Sequence, residues 1–194
     1  SGGESTFVDA HAAAELLRQR DPAAFETLCR VPATFQKDHV KRANPAKMFF
    51  QRPHIAVSSG PTREVTAVFW APPFEGPLRA PLADVEPYYR AYRAFHEVLC
   101  SPELWSRHGA AFRMNPGDLV VFNNRRMLHG RESFSNNGER HLHGCYLDGD
   151  TFLNKVRVGR FQRGWARTAA DDATVVGFGG WGPTETRFGN QSHL

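Results

Sequence analysis

Short strand-like segments, each bounded by a turn signal, constrain the fold of this chain more than any other feature. Two of them, "MFFQRPHIAVSS" and "EVTAVFW", are separated by Gly60-Pro61. The stretch "AAFRMNPGDLVVFNN" predicts a strand, a turn at residues 115–118 and a second strand at residues 119–122. The segment "RHLHGCYLD" predicts a further strand. Short strands joined by turns predict a β-sandwich or barrel that carries helices on one side.

Three segments predict helices. Asp9 is the predicted N-cap of "AHAAAELLRQR", and Asp21-Pro22 predicts the start of a second short helix. Residues 84–100 form the clearest helix, because apolar side chains recur there at spacings of three and four: Val85, Tyr88, Tyr92, Phe95 and Leu99. This apolar stripe must face a core. We interpret its tyrosines as packing residues rather than as a ligand cage.

Length and composition predict one domain. The chain has 194 residues, of which 41% are hydrophobic, and this is enough for a single domain with a core. We place the domain at residues 1–158, with "DTFLNKVRV" as a short closing helix or strand. Residues 159–194 are rich in Gly, Thr and Asp without an apolar period, so we expect a loose extension there.

Charge and cysteine content argue against several classes of protein. The net charge of +4 is modest and the arginines are scattered, which disfavours a nucleic-acid partner. No apolar run approaches the roughly 18 residues of a membrane span, and we expect no signal peptide. Three cysteines, an odd number and far apart, indicate a reducing compartment rather than a disulfide framework. We therefore expect a cytoplasmic protein without a membrane partner.

The segment "NNRRMLHGRESFSNNGERHLHGCY", residues 123–146, holds the candidate site. Asn136-Asn137-Gly138 signals a turn into the last predicted strand, so His129 and Arg140 should lie on neighbouring arms of one hairpin-like connection. On the second arm, strand alternation separates two sets of side chains. One face carries Arg140, Leu142, Gly144 and Tyr146, and the other carries His141, His143 and Cys145. If Arg140 points inward, Tyr146 points inward with it.

The residues alone leave several interpretations of this segment open. An inward arginine needs an anion, and a carboxylate ligand can accept two parallel hydrogen bonds from it. An imidazole such as His129 suits iron, and oxygen-activating iron(II) sites combine two histidines with one carboxylate. A surface hairpin with a solvated arginine and a structural histidine is the alternative that residue types alone favour. A metal-binding pair of His141 and His143 would lie on the face opposite Arg140.

Two long stretches, "MNPGDLVVFNNRRMLHGRESF" and "RHLHGCYLDGDTFLNKVRV", resemble the C-terminal part of the TauD/TfdA-like iron(II) and 2-oxoglutarate dioxygenases. Among these they are most similar to the γ-butyrobetaine dioxygenases. The opening "GGESTFVDAHAAAELLRQRDPAAFETL" is similar to the stretch that follows the first metal-binding motif of the family, and the resemblance covers about residues 2–157. It implies a mostly β fold with flanking helices, a partial double-stranded β-helix of the jelly-roll, cupin-like type.

The resemblance implies a role for each residue that matches a family motif. His129, in "LHGR", matches the distal iron-binding histidine, and Arg140, in "RHLHG", matches the arginine that holds the far carboxylate of 2-oxoglutarate. Ser5, in "GGES", matches a position at which a hydroxyl contacts 2-oxoglutarate. Tyr146 matches a tyrosine of the aromatic cage around the trimethylammonium group of the substrate. Asn124 matches an asparagine with a structural role. No catalytic residue is implied beyond the metal site.

The chain departs from the family pattern at the metal motif. The family site begins with a His-x-Asp pair, but none of the nine histidines here is followed two positions later by Asp or Glu. Asp9-Ala10-His11 has the reverse order on a predicted helix, and we do not accept it as a substitute. Because the pair lies upstream of "GG" in the family, we expect the N-terminal half to be absent from this chain. In addition, Arg125 replaces a tryptophan, and "VFWAPPFEGPL" lacks an asparagine that relatives have near the substrate carboxylate.

The resemblance implies an activity for the intact protein: Fe(II)- and 2-oxoglutarate-dependent hydroxylation of γ-butyrobetaine to L-carnitine. Ascorbate is a further cofactor to consider, and a homodimer is left open. Two alternatives remain beside this interpretation. One is an inactive fragment or non-catalytic binding module with the same fold, and the other is a related dioxygenase that acts on another substrate such as trimethyllysine.

Overall fold

The structure is a computed structural model that describes residues 2–134 and 141–165. The chain divides into two compact units, Ser1–Ser135 and Asn136–Leu194. The first unit contains, in chain order, β1 (Ser5–Asp9), α1 (Ala10–Arg20), α2 (Pro22–Arg30), β2 (Ala33–Asp38), β3 (Lys47–Arg52), β4 (Ile55–Val57), β5 (Val65–Val68), a 3-10 helix (Pro72–Phe74), α3 (Leu82–Leu99), α4 (Pro102–His108), β6 (Gly109–Phe112) and β7 (Met127–Arg131). The second unit contains α5 (Gly149–Gln162).

Three small antiparallel sheets make up the β-structure of the first unit. The largest has the strand order β6-β1-β7, and the other two are the pairs β2-β3 and β4-β5. The combination of antiparallel sheets with helices agrees with the prediction. Within the described residues, however, the sheets do not close into a barrel, so these residues do not confirm the predicted jelly roll.

Two of the three predicted helices begin where the sequence predicts, and the third, α3, begins two residues earlier, at Leu82. The Asp9 carboxylate accepts hydrogen bonds from the backbone N–H groups of His11 and Ala12, at 2.9 and 3.3 Å, and so caps α1. The Asp21 carboxylate accepts one from the Ala24 N–H at 2.9 Å, with Pro22 in the first turn of α2. These caps satisfy donors that a helix leaves unpaired at its N-terminus. Both predicted starts are therefore confirmed.

The core of the first unit lies where α1, α2 and α3 meet β4 and β5. Its largest fully buried apolar side chains are Phe25, Phe95, Leu17, Leu28, Ile55 and Leu104. On α3 the predicted apolar stripe faces this core: Tyr88, Phe95 and Leu99 are buried, and Tyr92 packs against them half-buried. The interpretation of Tyr88 and Tyr92 as packing residues is confirmed.

One buried polar group interrupts the apolar core. His54 is fully buried, with Nδ1 2.7 Å from the Phe69 carbonyl oxygen and Nε2 2.8 Å from the Tyr88 hydroxyl. Because a carbonyl only accepts, Nδ1–H donates to Phe69 and Nε2 accepts from Tyr88. Burial lowers the pKa of His54 from 6.5 to about 4. The imidazole is therefore neutral at pH 7.

Most of the predicted strands are present. The strand-like segments around residues 47–57 and 65–68 form β3, β4 and β5, and residues 109–112 form β6. The predicted turn follows β6: the Asp118 N–H donates to the Asn115 carbonyl at 3.0 Å, and Gly117 has a φ of +92°, which suits glycine.

Two predicted strands are wrong. Residues 119–122 and 141–148 have no regular secondary structure. Leu119 is 85% exposed and Tyr146 is 87% exposed. The sequence pattern of both segments fits a strand, but a strand also needs a neighbour with which to exchange backbone hydrogen bonds. No described strand pairs with either segment. The alternation predicted for Leu142, Gly144 and Tyr146 therefore does not hold.

The described part of the second unit is mainly one helix. The Asp148 carboxylate caps α5 by accepting a hydrogen bond from the Thr151 N–H at 2.9 Å. The segment "DTFLNKVRV", predicted as a short helix or strand, is thus helical, and the helix continues past Gly159 to Gln162. The proposed boundary at residue 158 and the character of residues 159–194 remain predictions. Among the described residues, no helix is long and apolar enough to cross a membrane.

Candidate functional site

The sheet β6-β1-β7 carries two of the predicted site residues on one face. His129 on β7 lies opposite Phe7 on β1, and Ser5 on β1 lies opposite Arg131 on β7. Directly opposed residues of an antiparallel pair share a face, and so do residues two apart on one strand. Ser5 and His129 are therefore diagonal neighbours on the same face, at a separation of roughly 7–8 Å between Cα atoms by general sheet geometry.

The two faces of this sheet have different surroundings. Val8 on β1 is buried in the core and Leu128 on β7 packs against it, so this face lies on the helices. The opposite face presents His129, whose ring centroid is 5.0 Å from that of Phe122 and 6.3 Å from that of Phe7. His129 is exposed, whereas Ser5 is only 9% exposed. The candidate histidine thus lies on an aromatic surface with its ring accessible.

A turn directly before β7 positions His129. The backbone N–H groups of Arg126 and Met127 both donate to the Asn123 carbonyl, at 3.0 and 2.8 Å. The Asn123 side-chain oxygen accepts a further hydrogen bond from the Arg125 N–H at 2.9 Å. Asn123 therefore holds the turn together, while Asn124 is exposed in the same turn. The structural role that the resemblance implies for Asn124 stays a prediction.

An ion pair joins the end of β1 to the start of β7. Arg126 donates to one oxygen of the Asp9 carboxylate through Nε at 3.0 Å and through Nη2 at 2.7 Å. Burial alone would raise the pKa of Asp9, but the hydrogen bonds and charge of Arg126 and the two helix N–H donors outweigh it, so the pKa lies below 3.8. Asp9 therefore remains ionised and holds the two strands in register.

The reversed motif Asp9-Ala10-His11 does not offer a metal site. The Asp9 carboxylate is already occupied by two backbone donors and by Arg126. His11 is buried, and its Nε2 has no hydrogen-bond partner. Burial lowers the pKa of His11, although the Asp9 charge opposes this shift. These contacts agree with the expectation that the pair does not substitute for His-x-Asp.

The donors present do not make up a complete iron site. Iron(II) in oxygen-activating sites takes two histidines and one carboxylate. In residues 2–134 and 141–165, no group of three His, Cys, Asp or Glu side chains is arranged to hold a metal ion. His129 can supply one imidazole donor, but the described residues do not complete a set of three donors around it.

The structure does not test the other two predicted site residues. Arg140 and the predicted turn Asn136-Asn137-Gly138 lie outside the described residues. Tyr146 belongs to the second unit, where its side chain is exposed. His141 and His143 stack with ring centroids 4.5 Å apart, and both are exposed. The structure therefore brings together Ser5 and His129 among the four predicted site residues.

Sequence reasoning missed the residues that hold the site in place. Asp9 was predicted only as a helix cap, and its pairing with Arg126 spans 117 positions, which no local pattern reveals. Asn123 could have been found, because asparagine accepts hydrogen bonds from its own backbone two residues on in tight turns. The adjacent Asn124 is also an asparagine, so only the structure shows which of the two side chains accepts the hydrogen bond from the Arg125 N–H.

Comparison of the sequence with known proteins identifies the family of the chain. Residues 1–146 match the model of the taurine catabolism dioxygenase TauD, TfdA family. The chain is 37% identical over 161 residues to the γ-butyrobetaine dioxygenase of Pseudomonas sp. (strain AK-1). This alignment covers 81% of this chain and 39% of that protein. The human γ-butyrobetaine dioxygenase is 29% identical, with 81% of this chain and 40% of that protein covered.

A third relative is named for a different substrate. The trimethyllysine dioxygenase of Neurospora crassa is 31% identical over 168 residues, which cover 84% of this chain and 33% of that protein. The chain thus spans about two fifths or less of the length of these relatives. The family match covers well over half of the 194 residues, including β1 with Ser5 and β7 with His129. The chain belongs to the TauD/TfdA dioxygenase family.

Proposed function

We propose that the protein is a 2-oxoglutarate-dependent dioxygenase that hydroxylates γ-butyrobetaine to L-carnitine. In this reaction 2-oxoglutarate and oxygen are converted to succinate and carbon dioxide while one oxygen atom enters the substrate. The observation that carries the proposal is the 37% identity to a γ-butyrobetaine dioxygenase across 81% of the chain. Family membership implies a cupin-like fold, and we propose a partial double-stranded β-helix, with residues 1–158 as the domain.

The geometry of the sheet supports two of the proposed roles. We assign His129 as an iron(II) ligand and Ser5 as a contact to 2-oxoglutarate, since both lie on the same face of β6-β1-β7. A co-substrate that chelates the metal must reach both positions, and a separation of roughly 7–8 Å is short enough for a molecule of its size. The exposed ring of His129 leaves its nitrogens free to act as donors to a metal.

Two further roles rest on matched motifs alone. We assign Arg140 to the far carboxylate of 2-oxoglutarate, because a guanidinium binds a carboxylate through two parallel hydrogen bonds. We assign Tyr146 to the trimethylammonium group of γ-butyrobetaine, which an aromatic face attracts. At least one further iron ligand must come from outside the described residues, because these contain no three-donor group.

The same proposal includes the cofactors, the location and the assembly of the protein. Iron(II) is the proposed cofactor, 2-oxoglutarate the co-substrate and ascorbate a supporting reductant. We propose a cytoplasmic protein that acts on a small molecule, with a homodimer as a possible assembly and no nucleic-acid partner.

Substrate-stimulated succinate release tests this function. A protein that covers the full length of the relatives is loaded with iron(II) and 2-oxoglutarate and assayed with γ-butyrobetaine, trimethyllysine and taurine. We expect strong stimulation by γ-butyrobetaine, weak stimulation by trimethyllysine and none by taurine, because a cage for one cation is selective in shape and charge. Equal stimulation by all three would refute the substrate. No succinate with any of them would favour the non-catalytic binding module.

Two substitutions test the assigned residues in the same assay. His129→Ala should abolish turnover, while His108→Ala at an exposed position on α4 should leave it unchanged. Arg140→Ala should weaken 2-oxoglutarate binding by about 10- to 100-fold, the usual effect of losing a charge-assisted hydrogen-bonded pair, with a much smaller effect on γ-butyrobetaine. A normal KM for 2-oxoglutarate in Arg140→Ala would contradict its assignment.

The relatives also support a second candidate substrate. Four trimethyllysine dioxygenases match 81–84% of this chain at 29–31% identity. Trimethyllysine shares the trimethylammonium group and differs at the other end of the molecule. A higher kcat/KM for trimethyllysine than for γ-butyrobetaine would select this second candidate and leave the dioxygenase assignment intact.

A further inference from the structure

Phe122 lies beside the candidate ligand His129. The two ring centroids are 5.0 Å apart and the ring planes are inclined by 55°. This separation falls within the roughly 4.5–7 Å at which aromatic rings attract each other. Residues 119–122 form no strand, and Leu119 and Val121 in this segment are 85% and 68% exposed, but Phe122 is half-buried. The segment thus places the Phe122 ring against the face of the sheet that carries His129.

Phe7 supports this contact from the neighbouring strand. It lies directly opposite His129 in the pairing of β1 with β7, and the two ring centroids are 6.3 Å apart. The rings of Phe7 and Phe122 meet edge to face, with centroids 5.2 Å apart. Phe112 on β6 stacks on Phe7 with centroids 5.5 Å apart. His129 is therefore in contact with two rings of a continuous aromatic cluster.

The described residues offer the His129 ring no hydrogen-bond partner. A histidine that binds a metal through one ring nitrogen usually donates a hydrogen bond from the other nitrogen to a carboxylate, a carbonyl or water, and this bond fixes the orientation of the ring. Among residues 2–134 and 141–165, no group makes such a bond or an ion pair with the imidazole. Within this part of the chain, the contacts with Phe122 and Phe7 are therefore the interactions that restrict its rotation.

We propose that Phe122 is a positioning residue for His129. Packing against Phe122 and Phe7 keeps the imidazole in one orientation before a metal arrives, so binding does not have to order the ring. A phenylalanine ring suits this role because it carries no donor or acceptor that would compete for the ring nitrogens. The inference rests on the proposed function, because it takes His129 as an iron(II) ligand, and it adds a residue to which that function assigns no role.

NMR of the metal-free 194-residue chain tests the contact without iron or turnover. The imidazole signals of His129 are identified by their loss in His129→Ala and compared at about pH 8.5, where an ordinary imidazole is neutral. Phe122→Leu keeps an apolar side chain but removes the ring current, so the His129 signals should move towards those of a free imidazole. Phe122→Tyr keeps the ring and should leave them near their wild-type positions. Phe74→Leu, the same change at a 46% exposed ring, should not move them.

The iron(II) affinity of a protein of the relatives' full length tests the consequence. Phe122→Leu should weaken iron(II) binding by about 10-fold, the lower end of the effect of losing the partner that orients a metal ligand. Phe122→Tyr and Phe74→Leu should bind iron(II) as the wild type does. The free energy of unfolding in urea is measured for the same metal-free variants. A merely structural role of Phe122 would lower this free energy without changing the iron(II) affinity.

Unchanged His129 signals in Phe122→Leu, or an unchanged iron(II) affinity of this variant, would overturn the positioning role. Equal effects of Phe122→Leu and Phe74→Leu would overturn it as well. Iron(II) binding that persists in His129→Ala would instead refute the ligand assignment of the proposed function, so the two failures are distinguishable. If Phe122→Leu does not fold, Phe7→Leu removes the ring contact from the neighbouring strand and provides the same test.

Discussion

Tyr88→Phe removes one atom from the core and should have a measurable cost. The Tyr88 hydroxyl donates to Nε2 of the fully buried His54 at 2.8 Å. Phenylalanine keeps the ring and its packing but leaves Nε2 buried without a donor, which costs about 1–3 kcal/mol of unfolding free energy. The neighbouring Tyr89 is 55% exposed, so Tyr89→Phe should change stability by less than about 0.5 kcal/mol.

The same imidazole makes stability depend on pH. The pKa of His54 is about 4 in the folded protein, against an ordinary value of 6.5 in the unfolded chain. Above pH 6.5 both states carry a neutral imidazole, and the stability is at its full value. Below it the unfolded chain binds a proton that folded His54 does not. Stability therefore falls by up to about 1.4 kcal/mol per pH unit, or about 3 kcal/mol by pH 4.

Urea unfolding followed by circular dichroism measures both effects. The free energy of unfolding is determined for the wild type, Tyr88→Phe, Tyr89→Phe and His54→Gln at several values between about pH 7.5 and about pH 4.5. His54→Gln should lose stability less steeply on acidification than the wild type. His11, whose pKa burial also lowers, should leave a residual slope in His54→Gln. An identical pH dependence in wild type and His54→Gln, or equal stability of the two tyrosine variants, would refute this reasoning.

Three further predictions follow from other contacts. Phe25→Ala should destabilise the protein by about 3–5 kcal/mol in urea unfolding because Phe25 is 1% exposed, whereas alanine at the 71% exposed Phe161 should have little effect; equal losses would contradict the assigned core. Asp9→Asn should cost about 1–3 kcal/mol because it removes the ion pair with Arg126. This difference should shrink as the pH falls below 3.8, because the unfolded chain then binds a proton that folded Asp9, with its lowered pKa, binds only at lower pH; a constant difference would argue against the pair. Burial raises the pKa of Cys29 to about 12, so in Ellman titration of the native protein it should react at least about tenfold more slowly than the two exposed cysteines; three equal rates would exclude this burial.

Elements with local signals could be predicted from the sequence. The caps Asp9 and Asp21 lie within three residues of the donors they satisfy, and the stripe on α3 is repeated within one helix. Such features depend on short stretches of chain, so periodicity and residue type are sufficient to find them.

Features that depend on distant partners could not be predicted. Residues 119–122 have an apolar strand-like pattern, but whether they form a strand depends on a neighbour that their own sequence does not encode. His54 meets Tyr88 across 34 positions, and Asp9 meets Arg126 across 117. The candidate site has the same limitation: the motif around His129 identifies a candidate ligand, but only the pairing of β1 with β7 brings Ser5 beside it.

Iron retention by residues 1–194 is the decisive measurement for the proposed metal site. If His129 is one ligand of an iron(II) site, the described residues do not supply the complete set of three donors, and we expect the missing ones outside this chain. One imidazole competes poorly with buffer for iron(II). After anaerobic loading and gel filtration, the 194-residue chain should therefore retain far less than one iron per chain, and a protein of the relatives' full length about one, which His129→Ala should remove. One iron per 194-residue chain would contradict the expectation that the missing donors lie outside these 194 residues, and iron retained by His129→Ala in the full-length protein would contradict the assignment of His129.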